Sequence, residues 1–247
     1  MLNTIPPAIS AMLLAAGRGM RMRPLTDHCP KPLLRVHDRP LLDWWLDALL
    51  RDGVNRVVIN TAWLGEHMAQ HLADWPVQHP RTELLFSHEG QDFGYALETA
   101  GGISRALPLL GDVFWVLAGD VYAPDFVFSP EAVQRFAASE QLAHLWLVPN
   151  PPQHPDGDFG LSDSGLALNT PEGPRYTYST VGLYRRALFE APWCDTLPGN
   201  PQGTARPLAP LLRRAMDAGR VSAELYRGRW TDVGTPQRLQ DLNHQPR

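Results

Sequence analysis

Only two cysteines, Cys29 and Cys194, occur in 247 residues. That is too few to staple a chain of this size, so both are expected to be free thiols of the kind a reducing cytosol preserves. No apolar run approaches the roughly 20 residues that a membrane helix needs. The chain also lacks a basic surplus: Lys+Arg number 22 against Asp+Glu 26, a net charge of −4, where a nucleic-acid binder should carry an excess of positive charge. Residues 1–7 have neither the charged start nor the apolar stretch of a signal peptide and read as a disordered leader. His28, His37, His88 and His154 are scattered without metal-ligand spacing. The expected partners therefore include neither nucleic acid nor membrane, and the expected location is the cytoplasm. What remains is an ordinary globular composition, long enough for one large domain.

The first half alternates two periodicities. Residues 9–15, 56–60, 83–87 and 114–118 are short apolar runs that predict buried strands. Between them, 40–52, 64–72 and 99–107 carry helical patterning, the first closed by Gly53. Strands alternating with helices of this length predict right-handed βαβ units and a parallel sheet, with ligands at the carboxyl ends of the strands. Beyond residue 123 the pattern changes. A helix is predicted over 130–139 and a strand over 143–148. A Pro-, Gly- and Asp-rich stretch follows at 149–174, with a hairpin across Asp163-Ser164-Gly165. Then come a strand over 176–184, a helix over 207–218 stopped by Gly219, and strands over 221–226 and 229–232. A final helix opens at Thr235-Pro236, an N-cap followed by a proline at the first helical position.

After the first strand comes LAAGRGMRMRPLTDHCPKPL, Leu14 to Leu33. Pro24, Pro30 and Pro32 forbid a continuous helix there, and Arg18, Arg21, Arg23 and Lys31 concentrate positive charge on a mildly acidic chain. The dinucleotide fingerprint G-x-G-x-x-G fits Gly17 and Gly19 but fails at Met22, where a bulky side chain would spoil the close helix packing that the motif needs. The P-loop pattern G-x-x-x-x-G-K-[ST] has no match. A third pattern, L-A-A-G-x-G-x-R-[ML]-x-P-L-T followed by K-P, matches throughout. Chemically, small residues at Ala15, Ala16 and Gly17 let the backbone approach a nucleotide, and successive amides form a nest for phosphate oxygens. Arg21 can fork onto a triphosphate, and Lys31 supplies a point charge for the reacting phosphoryl group.

On these motifs the chain resembles the sugar-1-phosphate nucleotidyltransferases, over roughly residues 8–242. The resemblance implies a Rossmann-like α/β fold with a mixed, mainly parallel central sheet flanked by helices. It also implies a nucleotide-binding part at 8–122 and a smaller sugar-phosphate-binding subdomain at 123–242. The implied reaction is transfer from a nucleoside triphosphate to a sugar-1-phosphate, with Mg²⁺ as cofactor. Leu14, Ala15, Ala16, Gly17, Gly19, Glu89, Gly102 and Asp120 would contact the nucleotide, and Arg21 and Lys31 would act in catalysis. Asp120 in Leu117-Ala-Gly-Asp and Asp232 in Trp230-Thr-Asp-Val-Gly-Thr-Pro would hold the metal. Glu98, in Leu97-Glu-Thr-Ala-Gly-Gly, either touches ribose or acceptor sugar or caps the helix that follows.

Asn150, Asp158 and Ser179 fall in segments similar to the acceptor region of one subgroup with short chains, the uridylyltransferases of N-acetylmuramate-1-phosphate. This makes UTP and that cell-wall sugar phosphate the expected substrates in a recycling step. Guanylyl or thymidylyl transfer to a hexose-1-phosphate is the alternative, and a non-catalytic nucleotide-sugar sensor is the rival of another class. No β-helix of the kind that trimerises longer relatives is read in the sequence, so a monomer is favoured without the oligomeric state being fixed.

Overall fold

A computed structural model of the chain describes residues 9–170 and 172–246; the expected leader at 1–7 lies outside them. In chain order the elements are β1 (Ser10–Leu14), the ribbon β2 (Arg35–Val36) and β3 (Arg39–Pro40), α1 (Leu41–Arg51), β4 (Arg56–Thr61), α2 (Gly65–His71), the single turn α3 (Trp75–Gln78) and β5 (Glu83–His88). There follow α4 (Glu89–Phe93), α5 (Glu98–Ala106), β6 (Val113–Ala118), β7 (Val121–Tyr122), α6 (Pro130–Ala138) and β8 (Ala143–Val148). The rest comprises β9 (Phe159–Leu161), β10 (Ala167–Leu168), β11 (Arg175–Arg185), α7 (Ala209–Asp217), β12 (Val221–Leu225), β13 (Thr231–Asp232) and α8 (Pro236–His244).

Four strands, β6-β1-β4-β5, run parallel and form one side of a nine-stranded sheet, with β5 at its edge. The eleven-residue β11 lies antiparallel to β6 and continues the sheet to β8 and β12, while its first residues carry the β9–β10 hairpin. The sheet is therefore mixed and mainly parallel, and it runs without a break from the first half of the chain into the second. The turn of the β9–β10 hairpin falls where Asp163-Ser164-Gly165 predicts it, with Gly165 at φ +78°.

Side chains alternate across the sheet because the strand period is two. Ala11, Leu13, Trp115 and Leu117 face one layer, with Trp45, Leu46 and Leu49 of α1 and Phe136 of α6. Met12, Phe114 and Val116 face the other, with Ile103 of α5 and Leu211, Leu212 and Ala215 of α7. Each fully buried large side chain contributes about 1.5–3 kcal/mol from removal of apolar surface.

Local signals end the helices where expected. Gly53, at φ +81°, follows α1, and the Val54 N–H reaches back to the Leu49 carbonyl at 2.9 Å, the six-residue closure of a Schellman motif. Thr235 caps α8 by accepting from the Arg238 N–H, with Pro236 behind it. The strand expected over 229–232 is shorter than predicted. Only Thr231 and Asp232 pair, with the two residues of β7, while the Arg229 guanidinium lies on Asp125 at 2.7 and 2.8 Å.

Candidate active site

The carboxyl ends of β1, β4 and β6 meet at one cleft of about 360 Å³. β1 stops at Leu14, and the chain turns into the Gly-rich loop, which descends through three short 3-10 turns to Lys31. Cross-bonds hold that loop in shape. Thr26 Oγ1 donates to the Gly19 carbonyl at 2.8 Å, and Trp63 Nε1 donates to the Thr26 carbonyl at 2.8 Å. Gly19 needs its hydrogen side chain: its φ is +66°, and an added Cβ would lie 3.0 Å from Thr26 Cγ2 and 3.4 Å from Lys31 Cβ. Gly17 is different, because a Cβ there would meet nothing within 4 Å. The space above it is open toward the cleft.

Leu14, Ala15, Ala16, Gly17, Gly19, Lys31, Glu89, Glu98 and Asp120 all line the cleft. Residues up to 106 positions apart in sequence thus converge where the topology places a ligand. Asp120 arrives there because Gly119 packs its backbone on the end of β1, donating to the Leu14 carbonyl at 2.9 Å. A Cβ on Gly119 would lie 2.9 Å from Leu13 Cδ2. The Lys31 ammonium donates to Asp120 Oδ2, so the nearly buried cation of the loop and the strand-end carboxylate form one ion pair.

Five residues that the sequence did not offer as ligand contacts also line the cleft with side-chain or backbone atoms: Pro32, Asn60, Ala96, Thr99 and Ala118. Asn60 carries a readable signal, a lone amide at the carboxyl end of an apolar strand. Glu89 is 1% exposed, and burial pushes its carboxyl above the usual range against the opposing effects of the Leu97 N–H, the Asn60 amide and the Arg105 charge. Its oxygens accept from Asn60 Nδ2 and the Leu97 N–H, each at 2.7 Å.

Glu98 has φ +60°, a left-handed conformation that costs a non-glycine residue on the order of 1–3 kcal/mol and clusters at ligand sites. It does not cap α5. Leu97 at its N-cap offers no side-chain hydrogen bond; the N–H groups of Ala100 and Gly101 instead donate to the Arg206 carbonyl at 2.9 and 3.0 Å. The Glu98 side chain is exposed at the cleft.

Several expected residues sit elsewhere. Arg21 is exposed on the outer turn of the loop and forms no hydrogen bond or ion pair with a described residue. Gly102 lies behind the cleft wall, where a Cβ would come within 2.6 Å of Glu89 Oε1 and 3.0 Å of Asn60 Nδ2. Asp232 stands on β13 beside β7, and the Val233 N–H donates to the Asp120 carbonyl at 2.8 Å. Its carboxylate is engaged by Arg238 and by Gln153 Nε2, the latter at 2.8 Å.

Asn150, Asp158 and Ser179 do not line this cleft. Asn150 braces the 150–157 loop through the carbonyls of Pro155 and Arg175, at 2.9 and 3.0 Å. Asp158 accepts from the Tyr178 N–H at 2.8 Å and lies 3.1 Å from His154 Nε2. Ser179 is buried, its hydroxyl on the Val181 N–H and its carbonyl on Trp230 Nε1.

Small residues, a lysine and a carboxylate thus meet at adjoining ends of parallel strands of an α/β sheet, an arrangement suited to phosphate groups. The nucleotidyl transferase family model matches residues 10–246, and the chain belongs to that family. It is 44% identical to the N-acetylmuramate alpha-1-phosphate uridylyltransferase of Neisseria meningitidis serogroup B, over 94% of this chain and 96% of that one. It is 31% identical to the protein of the same name from Caulobacter vibrioides, over 92% of each chain. Among solved structures, the CTP:phosphocholine cytidylyltransferase of Streptococcus pneumoniae superposes with a TM-score of 0.69 at 18% identity, covering 96% of this chain and 98% of its own. That likeness concerns the fold. Among the described residues no helix is long and apolar enough to cross a membrane.

Proposed function

We propose that the cleft holds a nucleoside triphosphate and transfers its nucleotidyl group to a sugar-1-phosphate, with UTP and N-acetylmuramate-1-phosphate as the pair. The convergence of the Ala15–Gly19 backbone, Lys31 and Asp120 carries the reaction class. The likeness to the uridylyltransferase of Neisseria meningitidis, over nearly the whole of both chains, supports the substrate pair. An acceptor phosphate oxygen attacks the α-phosphorus, the bond from that phosphorus to the β-phosphate bridging oxygen breaks, and pyrophosphate leaves. The acceptor is anionic at neutral pH and needs positioning rather than a base. Lys31 would neutralise charge on the phosphoryl oxygens, Arg21 would fold in over the triphosphate from its exposed turn, and Glu98 would meet sugar hydroxyls.

Asp120 and Asp232 suit a divalent cation such as Mg²⁺. They are two hard carboxylates, Asp120 in the turn that leads into β7 and Asp232 on β13 beside it, each facing a cationic side chain, Lys31 and Arg238. No group of three or more His, Cys, Asp or Glu that could hold a metal ion occurs among the described residues, so substrate phosphates and water would complete the shell, as Mg²⁺ prefers. Bound there, the ion would offset charge developing in the transition state. In this reading Asn150, Asp158 and Ser179 shape the acceptor side by holding the 150–157 loop and β11.

The test is pyrophosphate release with Mg²⁺ across UTP, dTTP, GTP and CTP, each against several sugar-1-phosphates. Preference for UTP with N-acetylmuramate-1-phosphate is the expected outcome. Turnover with another pair replaces the substrates and keeps the reaction. Nucleotide-sugar binding with no pyrophosphate released from any pair would instead establish a non-catalytic sensor.

A further inference from the structure

One buried hydrogen-bond relay ties the two lips of the cleft together. The Ala15 N–H, at the start of the Gly-rich loop, donates to Asn60 Oδ1 at 2.7 Å. Asn60 Nδ2 donates to Glu89 Oε1 at 2.7 Å, and Glu89 Oε2 accepts from the Leu97 N–H at 2.7 Å. Asn60 is 3% and Glu89 1% exposed. Leu97 precedes Glu98, the residue held in the left-handed conformation at the opposite lip. The missing side chain of Gly102 is what lets Glu89 and Asn60 meet. Nothing in this relay is spare, since each atom that it uses has its partner.

We propose that Asn60 and Glu89 are positioning residues for the nucleotide: they act through Ala15 and Leu97, fixing the separation of the backbone segments between which the nucleotide lies. The inference rests on the nucleotide reading of the cleft. It also assigns Glu89 a role other than the direct ligand contact expected of it, because a buried carboxylate with both oxygens engaged is held to its neighbours. An unmade bond in such a site leaves a buried donor without a partner, which costs more than the bond itself contributes.

The relay has a polarity that a pair of substitutions can break and restore. In Glu89→Gln the side chain offers one acceptor and one donor where the relay needs two acceptors. If the Gln oxygen takes the Leu97 N–H, its amide faces the Asn60 amide. Turning Asn60 over then sets an amide against the Ala15 N–H, so one clash always remains. In the double variant Asn60→Asp/Glu89→Gln, the new carboxylate at position 60 would accept from both the Ala15 N–H and the Gln amide, and the Gln oxygen would accept from the Leu97 N–H. All three bonds return with the charge moved one residue along.

The experiment is titration calorimetry with UTP and Mg²⁺ on the whole chain, with melting temperature and steady-state kinetics alongside. Glu89→Gln should weaken UTP binding about tenfold, the effect of one unmade buried hydrogen bond, and should raise KM for UTP more than it lowers kcat. The double variant should return to within about threefold of the wild type. Wild-type affinity in Glu89→Gln overturns the proposal. So does a double variant that binds no better than Glu89→Gln, or one that fails to fold, since its hydrogen bonds are complete. If Glu89→Gln itself does not fold, the double variant alone decides: UTP affinity within about threefold of the wild type supports the relay, and weaker binding overturns it. No UTP binding by the wild type would sink the nucleotide reading, whereas wild-type binding with indifferent variants sinks only the relay.

Discussion

The Lys31 ammonium donates to the Asp120 carboxylate, so the end of the Gly-rich loop and the end of β6 are joined at the floor of the cleft. The lysine side chain is 10% exposed, and a cation held in so dry a place acts on a nearby phosphoryl group with little screening. Lys31→Met should keep the fold, because the long apolar stem still packs on Gly19, and should lower pyrophosphate release about 10²–10³-fold, as when a preorganised charge is removed from a transition state. Rates with UTP and a sugar-1-phosphate, read beside the melting temperature, check it. Turnover near the wild type would remove Lys31 from the reaction.

Arg238 reaches Asp232 by curling back over the first turn of α8, its backbone N–H on Thr235 Oγ1. The path crosses Gly234, where an added Cβ would collide with Arg238 Nη2 and stand 3.0 Å from Asp232 Oδ2. The glycine of Trp230-Thr-Asp-Val-Gly-Thr-Pro thus seats an arginine that lies outside the motif. Gly234→Ala should push the guanidinium off Asp232 and lower turnover about tenfold by misplacing one carboxylate. Mn²⁺ affinity in the presence of UTP, followed by electron paramagnetic resonance, should change in the same variant. Unchanged Mn²⁺ affinity and rate would show that Asp232 is indifferent to its partner.

The cleft was legible where its residues are local to a motif. The run from Leu14 to Gly19, Lys31 and the Gly119-Asp120 turn could be placed at strand ends because strand, breaker and charge lie within a few residues of one another. Residues joined over long separations were not legible. Ala15 meets Asn60 across 45 positions, and Gly102 looks like a ligand contact until Glu89 is seen in the space its Cβ would fill. The capping reading of Glu98 failed for the same reason, since the carbonyl that satisfies α5 comes from Arg206. Strand order had a further limit. Alternating strands and helices predict the parallel strands, but nothing in the pattern of residues 176–184 tells that β11 runs antiparallel between β6 and β8.

Away from the cleft, Asp52 locks the end of α1 to the chain that follows β7. Its carboxylate accepts from Arg51 at 2.7 Å on each oxygen and from the Phe128 N–H at 2.8 Å. Burial alone would raise its pKa, but the bonds from Arg51 and Phe128 outweigh burial and hold it below the usual carboxylate range. The folded state therefore binds fewer protons than the unfolded chain near pH 4. The stabilisation is fully present above the unfolded value and is lost as pH falls through the lower folded value. Asp52→Ala should cost about 1.5–3 kcal/mol at pH 7, the range for hydrogen bonds to a charged group. Half-exposed Arg51 supplies the part that salt weakens. Urea melts at pH 7 and pH 3 check the sign: the gap between variant and wild type should narrow at the lower pH, and a gap that widens there refutes the assignment.

Two glycines near the cleft should respond to the same substitution in opposite ways. At Gly102 a Cβ would press on Glu89 Oε1 at 2.6 Å and on Asn60 Nδ2 at 3.0 Å, in a layer with no slack. Gly102→Ala should therefore destabilise the protein by about 1–3 kcal/mol, as overpacking does, and lower the melting temperature by about 2–4 °C for each kcal/mol. At Gly17 the backbone is not in the left-handed region, and a Cβ would meet nothing within 4 Å. Protein packing thus gives no reason for glycine there; the approach of a ligand to the backbone does. Gly17→Ala should leave the melting temperature within about 2 °C, since a surface substitution changes stability by about 0.5 kcal/mol or less. In the same variant UTP affinity should fall about tenfold or more, because a methyl group would stand where phosphate oxygens reach the amides. A Gly17→Ala protein that binds UTP normally would move the phosphates away from the Gly-rich loop.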